Sequence, residues 1–281
     1  MYLALDLDGT LGDFIGVWRM LCILRQERFY ATNKTKILKV SSPDFQWKLD
    51  IAYDSFVREM VLREGVPFFR PGIFSVFREI VRLRKIGILE GVIIYSNNGS
   101  IVILEFVRDV LEMAVGSKIF DELIDFYHPL REKVLVKTDI RKTWVELRRL
   151  LVEGRCGAPT TVKPERVVFI DDQIHNDLVS TLGSNYVKVA TYSGGQDALL
   201  FGGVFNELLE DAAFMGYAGS CLGRTGLVFS ETQADVRPEP DFSIKLMITV
   251  LKMLRNDTMK RQGGKTKRSR RKNRNVSMKK Y

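Results

Sequence analysis

The sequence predicts an α/β fold organised around a doubly wound parallel sheet. Two observations lead there. Short apolar runs at residues 2–5, 91–95 and 167–170 alternate with segments of helical spacing, the order of repeated βα units. Each of these runs also stops abruptly in polar residues: Asp6 and Asp8, Ser96 and Asn97, Asp171 and Asp172. Parallel strands covered on both faces read as unbroken apolar runs, and open sheets of this kind carry their chemistry at the carboxyl ends of the strands.

In chain order, residues 2–5 form the first strand. Residues 14–66 read as a helical insertion, with apolar positions three and four apart at 14–29 and 45–63 and a helix start at Ser41-Ser42-Pro43-Asp44. The insertion is rich in aromatics, which serve as helix core, and its place directly after the first strand would let it overhang the crevice as a lid. Arg70-Pro71-Gly72 opens a helix to about Lys85. A strand at 91–96, a helix at 100–115 and a weaker strand within 120–127 follow. Lys137-Thr138-Asp139 leads into a helix through Leu151 with Thr138 as N-cap. The strand at 167–170, a helix at 175–182 and a strand at 187–191 complete the alternation. Ser193-Gly194-Gly195 marks a boundary, so the core is expected to span 1–195, with a mostly helical extension at 196–258 and a tail at 259–281.

Composition excludes several functions. A chain of 281 residues can bury one good core plus an insertion, and 46% hydrophobic with 27% charged residues reads as globular. Eleven of its 43 Lys/Arg fall in residues 260–281, which hold no acid, so the formal charge of +9 belongs to the tail. Such a run is expected to be disordered and to meet nucleic acid or an import receptor. Three cysteines without CxxC spacing argue against disulfides or a thiolate zinc site, and two histidines leave little for zinc or Ser-His-Asp chemistry. No membrane span or signal peptide is expected, which predicts an intracellular protein, cytoplasmic or nuclear.

The stretch Asp6-Leu7-Asp8-Gly9-Thr10 carries the chemistry. Two carboxylates two residues apart on an extended chain point the same way, and they repel unless a cation or a proton intervenes. Gly9 permits a sharp exit from the strand, and Thr10 can hydrogen-bond back to a carboxylate. A solvated turn would explain this stretch alone. It would not explain three polar strand ends gathered at one sheet edge, which make an oxygen-ligand site for a divalent ion and a phosphate.

These residues resemble the motifs of the haloacid dehalogenase (HAD) superfamily of aspartate-nucleophile phosphotransferases. Asp6 and Asp8 match its first motif, Ser96 at the end of VIIYSN the second, and Asp171-Asp172 the fourth. Lys137 is the candidate for the third, with Lys133 and Lys163 as rivals. Lys163 stands at the far end of the 167–170 strand, and roughly 26 Å of extended chain would separate it from Asp171. RPGIFSVFREI, YHPLREKVLVKTDI, VVFIDD and YVKVATYSG are similar to the NLI-interacting-factor-like branch, which includes phosphatases of the RNA polymerase C-terminal domain. The chain departs from that branch in its longer insert and at Gly9, where the branch has Glu. Gly-Gly-Lys followed by basic residues is similar to endings found in proteins of large DNA viruses.

The resemblance implies a HAD-like Rossmannoid three-layer sandwich with a helical cap, and a Mg²⁺-dependent phosphatase. Asp6 would be the nucleophile and Asp8 the general acid/base. Ser96, the Asn97 amide and Thr10 would bind phosphate, and Lys137 would offset charge. Asp6, Asp8, Asp171 and Asp172 would hold the metal. The implied substrate is phosphoserine or phosphothreonine in a protein, with a small molecule or a polynucleotide end as alternatives; a silent scaffold is the non-enzymatic one. Asn176 would either brace the acidic pair or cap a helix, and His128, His175 and Cys156 are expected to be structural or without a role.

Overall fold

A computed structural model describes residues 1–25, 43–132 and 141–194. The expectations for Lys133, Lys137, the 196–258 extension and the basic tail lie outside the described residues. Among the described residues there are five parallel strands: β1 (Tyr2–Leu5), β2 (Gly91–Tyr95), β3 (Glu122–Ile124), β4 (Val167–Asp171) and β5 (Tyr186–Lys188). Their order is β3-β2-β1-β4-β5. The chain moves outward from β1 to β2 and β3, then returns to the other side of β1 for β4 and β5. The winding therefore reverses between β1 and β4, and a crevice opens at the carboxyl ends of those two strands. This is the doubly wound parallel α/β architecture expected from the apolar runs.

Helices cover both faces, giving three layers. Leu3, Leu5, Val92, Ile94, Val168 and Ile170 face one side. Against them pack α1 (Val17–Leu24), α2 (Pro43–Leu62), α3 (Ile73–Lys85) and α4 (Ile101–Val115). Tyr2, Ala4, Ile93, Tyr95, Val167 and Phe169 face the other side. There, after the short α5 (Pro129–Glu132), lie α6 (Trp144–Glu153) and α7 (Asn176–Leu182). Leu147, Leu150 and Leu151 of α6 are fully buried against this second face. Each such leucine contributes about 1.5–3 kcal/mol, which anchors α6 and fixes where its N-terminus reaches.

The described part of the insertion rests on α4. Phe56 stacks on Phe106 with ring centroids 5.0 Å apart, and the Tyr53 hydroxyl donates to Asp109 at 2.6 Å. Tyr53 and Phe56 thus join the core, as expected of helix aromatics, whereas Trp47 is exposed. Among the described residues no helix is long and apolar enough to cross a membrane.

One helix begins later than the sequence reading placed it. α6 starts at Trp144, not after Thr138, and its N-cap is Thr143, whose hydroxyl accepts the Glu146 N–H. Lys142-Thr143 repeats the Lys137-Thr138 pair five residues on, and Thr143-x-x-Glu146 has the capping-box spacing that Thr138 lacks.

Candidate active site

Strand register assembles the acids. Leu5 pairs with Ile170, and the Asp6 N–H continues the ladder to the Ile170 carbonyl at 2.9 Å. Asp6 and Asp171 are therefore neighbours, and alternation along the strands turns both towards the α6/α7 face. Carboxylate oxygens of Asp6, Asp171 and Asp172 lie within 4.8 Å of one another, and all three residues are buried.

The loop after β1 is bent to admit Asp172. Gly9 has φ +72, and a Cβ there would stand 2.4 Å from Asp172 Oδ2. A larger residue is excluded twice, by backbone conformation and by space. Arg70, buried at the entry to α3, holds the loop from behind, donating to the carbonyls of Gly9 (2.5 Å), Thr10 (2.9 Å) and Ala190 (2.5 Å).

Thr10 braces the acids. Its hydroxyl accepts the Asp172 N–H at 2.9 Å and lies 3.5 Å from both Asp6 Oδ2 and Asp172 Oδ1. The hydrogen bond back to a carboxylate is the expected one. The Thr10 side chain is fully buried and turned onto Asp172. Thr191 adds a second hydroxyl, 2.8 Å from Asp172 Oδ2.

The lysine among these acids is Lys142. Its Nζ donates to Asp6 Oδ1 and, at 2.8 Å, to Asp171 Oδ2, and it is 2% exposed. Its backbone N–H donates to His175 Nδ1 at 3.3 Å, which leaves the imidazole proton on Nε2, 3.2 Å from Asp171 Oδ2. His175 thus orients the lysine and the aspartate together, while Asn176 is exposed on α7. Lys163 is exposed at the amino-terminal end of β4.

Ser96 and Asn97 follow β2 at the same sheet edge. Ser96 is buried, and its Oγ accepts the Asn98 N–H at 3.1 Å. Asn98 reaches across and donates from Nδ2 to Asp8 Oδ2 at 2.8 Å, joining the first and second strand ends. The sequence reading gave Asn98 no role.

Charge is unbalanced here. Asp6 and Asp171 share the Lys142 ammonium, Asp8 and Asp172 stand close to them, and Asp8 Oδ1 is buried without a hydrogen-bond partner among the described residues. Burial pushes the Asp6 carboxyl up to about 6, helped by Asp171 and opposed by Lys142. Burial likewise raises Asp8, against the Asn98 hydrogen bond that favours its anion. In Asp171 burial acts upward, but the His175 hydrogen bond and the Lys142 charge hold the carboxyl below its ordinary value. Buried, uncompensated carboxylates are costly, and an all-oxygen donor set suits a hard divalent cation. Asp6, Asp171 and Asp172 fit that demand.

No family model and no curated protein matches the chain. Among solved structures it is similar to a HAD-superfamily hydrolase of subfamily IA from Geobacter sulfurreducens, at 18% identity over 64% of this chain and 84% of that one, with TM-score 0.29. It is similar to CbbY of Rhodobacter sphaeroides in complex with xylulose-1,5-bisphosphate, at 17% identity over 70% and 87%, TM-score 0.33. A HAD-superfamily hydrolase from Ehrlichia chaffeensis aligns at 16% identity over 68% and 91%, TM-score 0.30.

Proposed function

We propose that this chain is a HAD-superfamily phosphoric monoester hydrolase that requires Mg²⁺ and works through an aspartyl-phosphate. The observation that carries the proposal is the buried Asp6–Asp171–Asp172 cluster bridged by Lys142, with Asp8 beside it. Asp6 attacks phosphorus, forming the acyl-phosphate bond as the bond to the ester oxygen breaks. Asp8, its carboxyl raised by burial, gives its proton to the departing oxygen. It then takes a proton from the water that attacks phosphorus, and cleavage of the bond to Asp6 releases phosphate. Ser96 and the Asn97 amide bind the phosphoryl oxygens, and Lys142 offsets charge in the role first assigned to Lys137. Asp6, Asp171 and Asp172, with the Asp8 carbonyl, would hold Mg²⁺, which would supply charge neutralisation between carboxylate and phosphate.

The substrate class is phosphoserine or phosphothreonine in a protein, on the strength of the branch-like motifs. The basic tail is a contact for nucleic acid or an import receptor in an intracellular setting, and is separate from turnover. Phosphate release should be measured on phosphopeptides, nucleotides, polynucleotide ends and sugar phosphates, with and without Mg²⁺. Release from phosphopeptides that needs Mg²⁺ and disappears in Asp6→Asn is expected. A folded protein that hydrolyses no ester, or an Asp6→Asn variant as active as wild type, overturns the catalytic reading; preference for nucleotides or sugars overturns the substrate class.

A further inference from the structure

A second buried charge network lies beneath the loop that follows β2, and the proposed reaction makes no use of it. Arg131 of α5 is fully buried. Its Nη1 donates to the Ser96 carbonyl at 2.6 Å and to the Asp125 carbonyl at 3.2 Å. Nη2 donates to Asn97 Oδ1 at 2.8 Å, and Nε to Glu146 Oε1 at 2.8 Å. Glu146 is 3% exposed, and its other oxygen accepts the Tyr95 hydroxyl. Burial, and then the Glu146 charge, push that hydroxyl's pKa well up, so it stays a donor.

We infer that Arg131 and Glu146 are the positioning pair that aims the Ser96–Asn97 peptide at the phosphoryl group and sets its spacing from Lys142. The inference rests on the phosphatase reading above. A dry ion pair is a poor way to gain stability, since apolar side chains of the same volume commonly serve a core as well or better. What this pair supplies is direction. In a planar trans peptide the carbonyl and the following N–H point opposite ways. Holding the Ser96 carbonyl on Arg131 therefore turns the Asn97 N–H to the side of the loop away from the buried pair. Glu146 lies four residues after Lys142, in the first turn of a helix fixed by Leu147 and Leu150. One guanidinium–carboxylate contact thus ties the loop that follows β2 to the segment that carries the lysine. A lysine in place of Arg131 would keep the charge but lose the fork that makes these bonds at once.

The test compares full-length wild type with Arg131→Lys, Arg131→Met and Glu146→Gln. Mg²⁺ affinity is read from the Mg²⁺-dependent rise in Tm, and affinity for the anion from inhibition by orthovanadate. Loss of aim should weaken vanadate binding and kcat about 10- to 100-fold in Arg131→Lys, with Mg²⁺ affinity within about twofold of wild type. Glu146→Gln, which keeps a partner for Nε, should lose less. Folded Arg131→Lys protein with unchanged vanadate affinity overturns the inference, as does an equal loss of Mg²⁺ and vanadate binding, the mark of general damage. If Arg131→Met does not fold, Arg131→Lys and Glu146→Gln decide alone. Wild type that turns over no ester in Mg²⁺ overturns the phosphatase reading and this inference together; an active wild type with insensitive variants overturns this inference only.

Discussion

Replacing Lys142 by alanine removes the only Lys or Arg side chain within hydrogen-bond reach of Asp6 and Asp171 among the described residues. Both partners are buried, and Nζ stands 2.8 Å from Asp171 Oδ2. At an effective dielectric of ~20, a unit pair at ~4 Å is worth about 4 kcal/mol, and removing one member of a buried pair costs about 3–5 kcal/mol. In a domain of this size that lowers Tm by on the order of 10 °C. Mg²⁺ replaces part of the lost charge, so the deficit should be largest in chelator and shrink when the ion is added. Catalysis has no such substitute. Loss of one charge-stabilising donor lowers kcat by about 10²–10³. Initial rates and thermal unfolding, each with EDTA and with Mg²⁺, should be measured on Lys142→Ala and Lys137→Ala in parallel. Lys142→Ala that keeps its rate within about threefold of wild type, while Lys137→Ala loses it, refutes the assignment and returns the role to Lys137.

Other expectations follow from the same geometry. Asp6 is held at about 6 in the fold against 3.8 for the free side chain, so the folded state binds the extra proton between those values. Metal-free stability should therefore fall by up to about 3 kcal/mol as pH rises from about 4 to 6.5, and Mg²⁺ affinity should increase over the same range. A metal-free Tm that climbs between about pH 5 and 6.5, above the titration of the lowered Asp171, Glu90 and Glu122 carboxyls, contradicts this. Gly9→Ala must displace the Asp172 carboxylate from its 2.4 Å approach, and should weaken Mg²⁺ binding more than it lowers Tm in chelator; isothermal titration with unchanged affinity would count against the close approach. Asn98→Ala removes the hydrogen bond that favours the Asp8 anion, so the alkaline limb of the pH profile of kcat/KM, where the acid Asp8 loses its proton, should move to higher pH by up to about one unit. A limb that stays put while kcat falls would separate Asn98 from Asp8. Deleting residues 260–281 should leave turnover of a small ester unchanged and abolish salt-dependent retention on RNA and DNA, and retention by the truncated chain refutes a tail contact.

Much of the site could be read before any coordinates. Asp6, Asp8, Asp171 and Asp172 announce themselves because acids directly after a buried apolar run must sit at a strand end. Lys142 was accessible in part through the Thr143-x-x-Glu146 spacing, which marks the true start of α6. Asn98, by contrast, looks like any turn residue, and its bond to Asp8 crosses 90 positions of sequence. Arg131 gives no signal of burial at all: a long cation in a short polar helix is expected in water, and only its ring of carbonyl, amide and carboxylate partners makes a dry position tolerable.

The sequence by itself determined the sheet, the edge at which chemistry can occur, and the acids placed there, because these follow from local periodicity and from where an apolar run ends. Tertiary structure alone decided which lysine meets those acids, which asparagine reaches Asp8, and which arginine holds the loop after β2. Such choices depend on how far α6 slides along the sheet and on which distant backbone groups need a partner. Chain-local preferences carry no record of either.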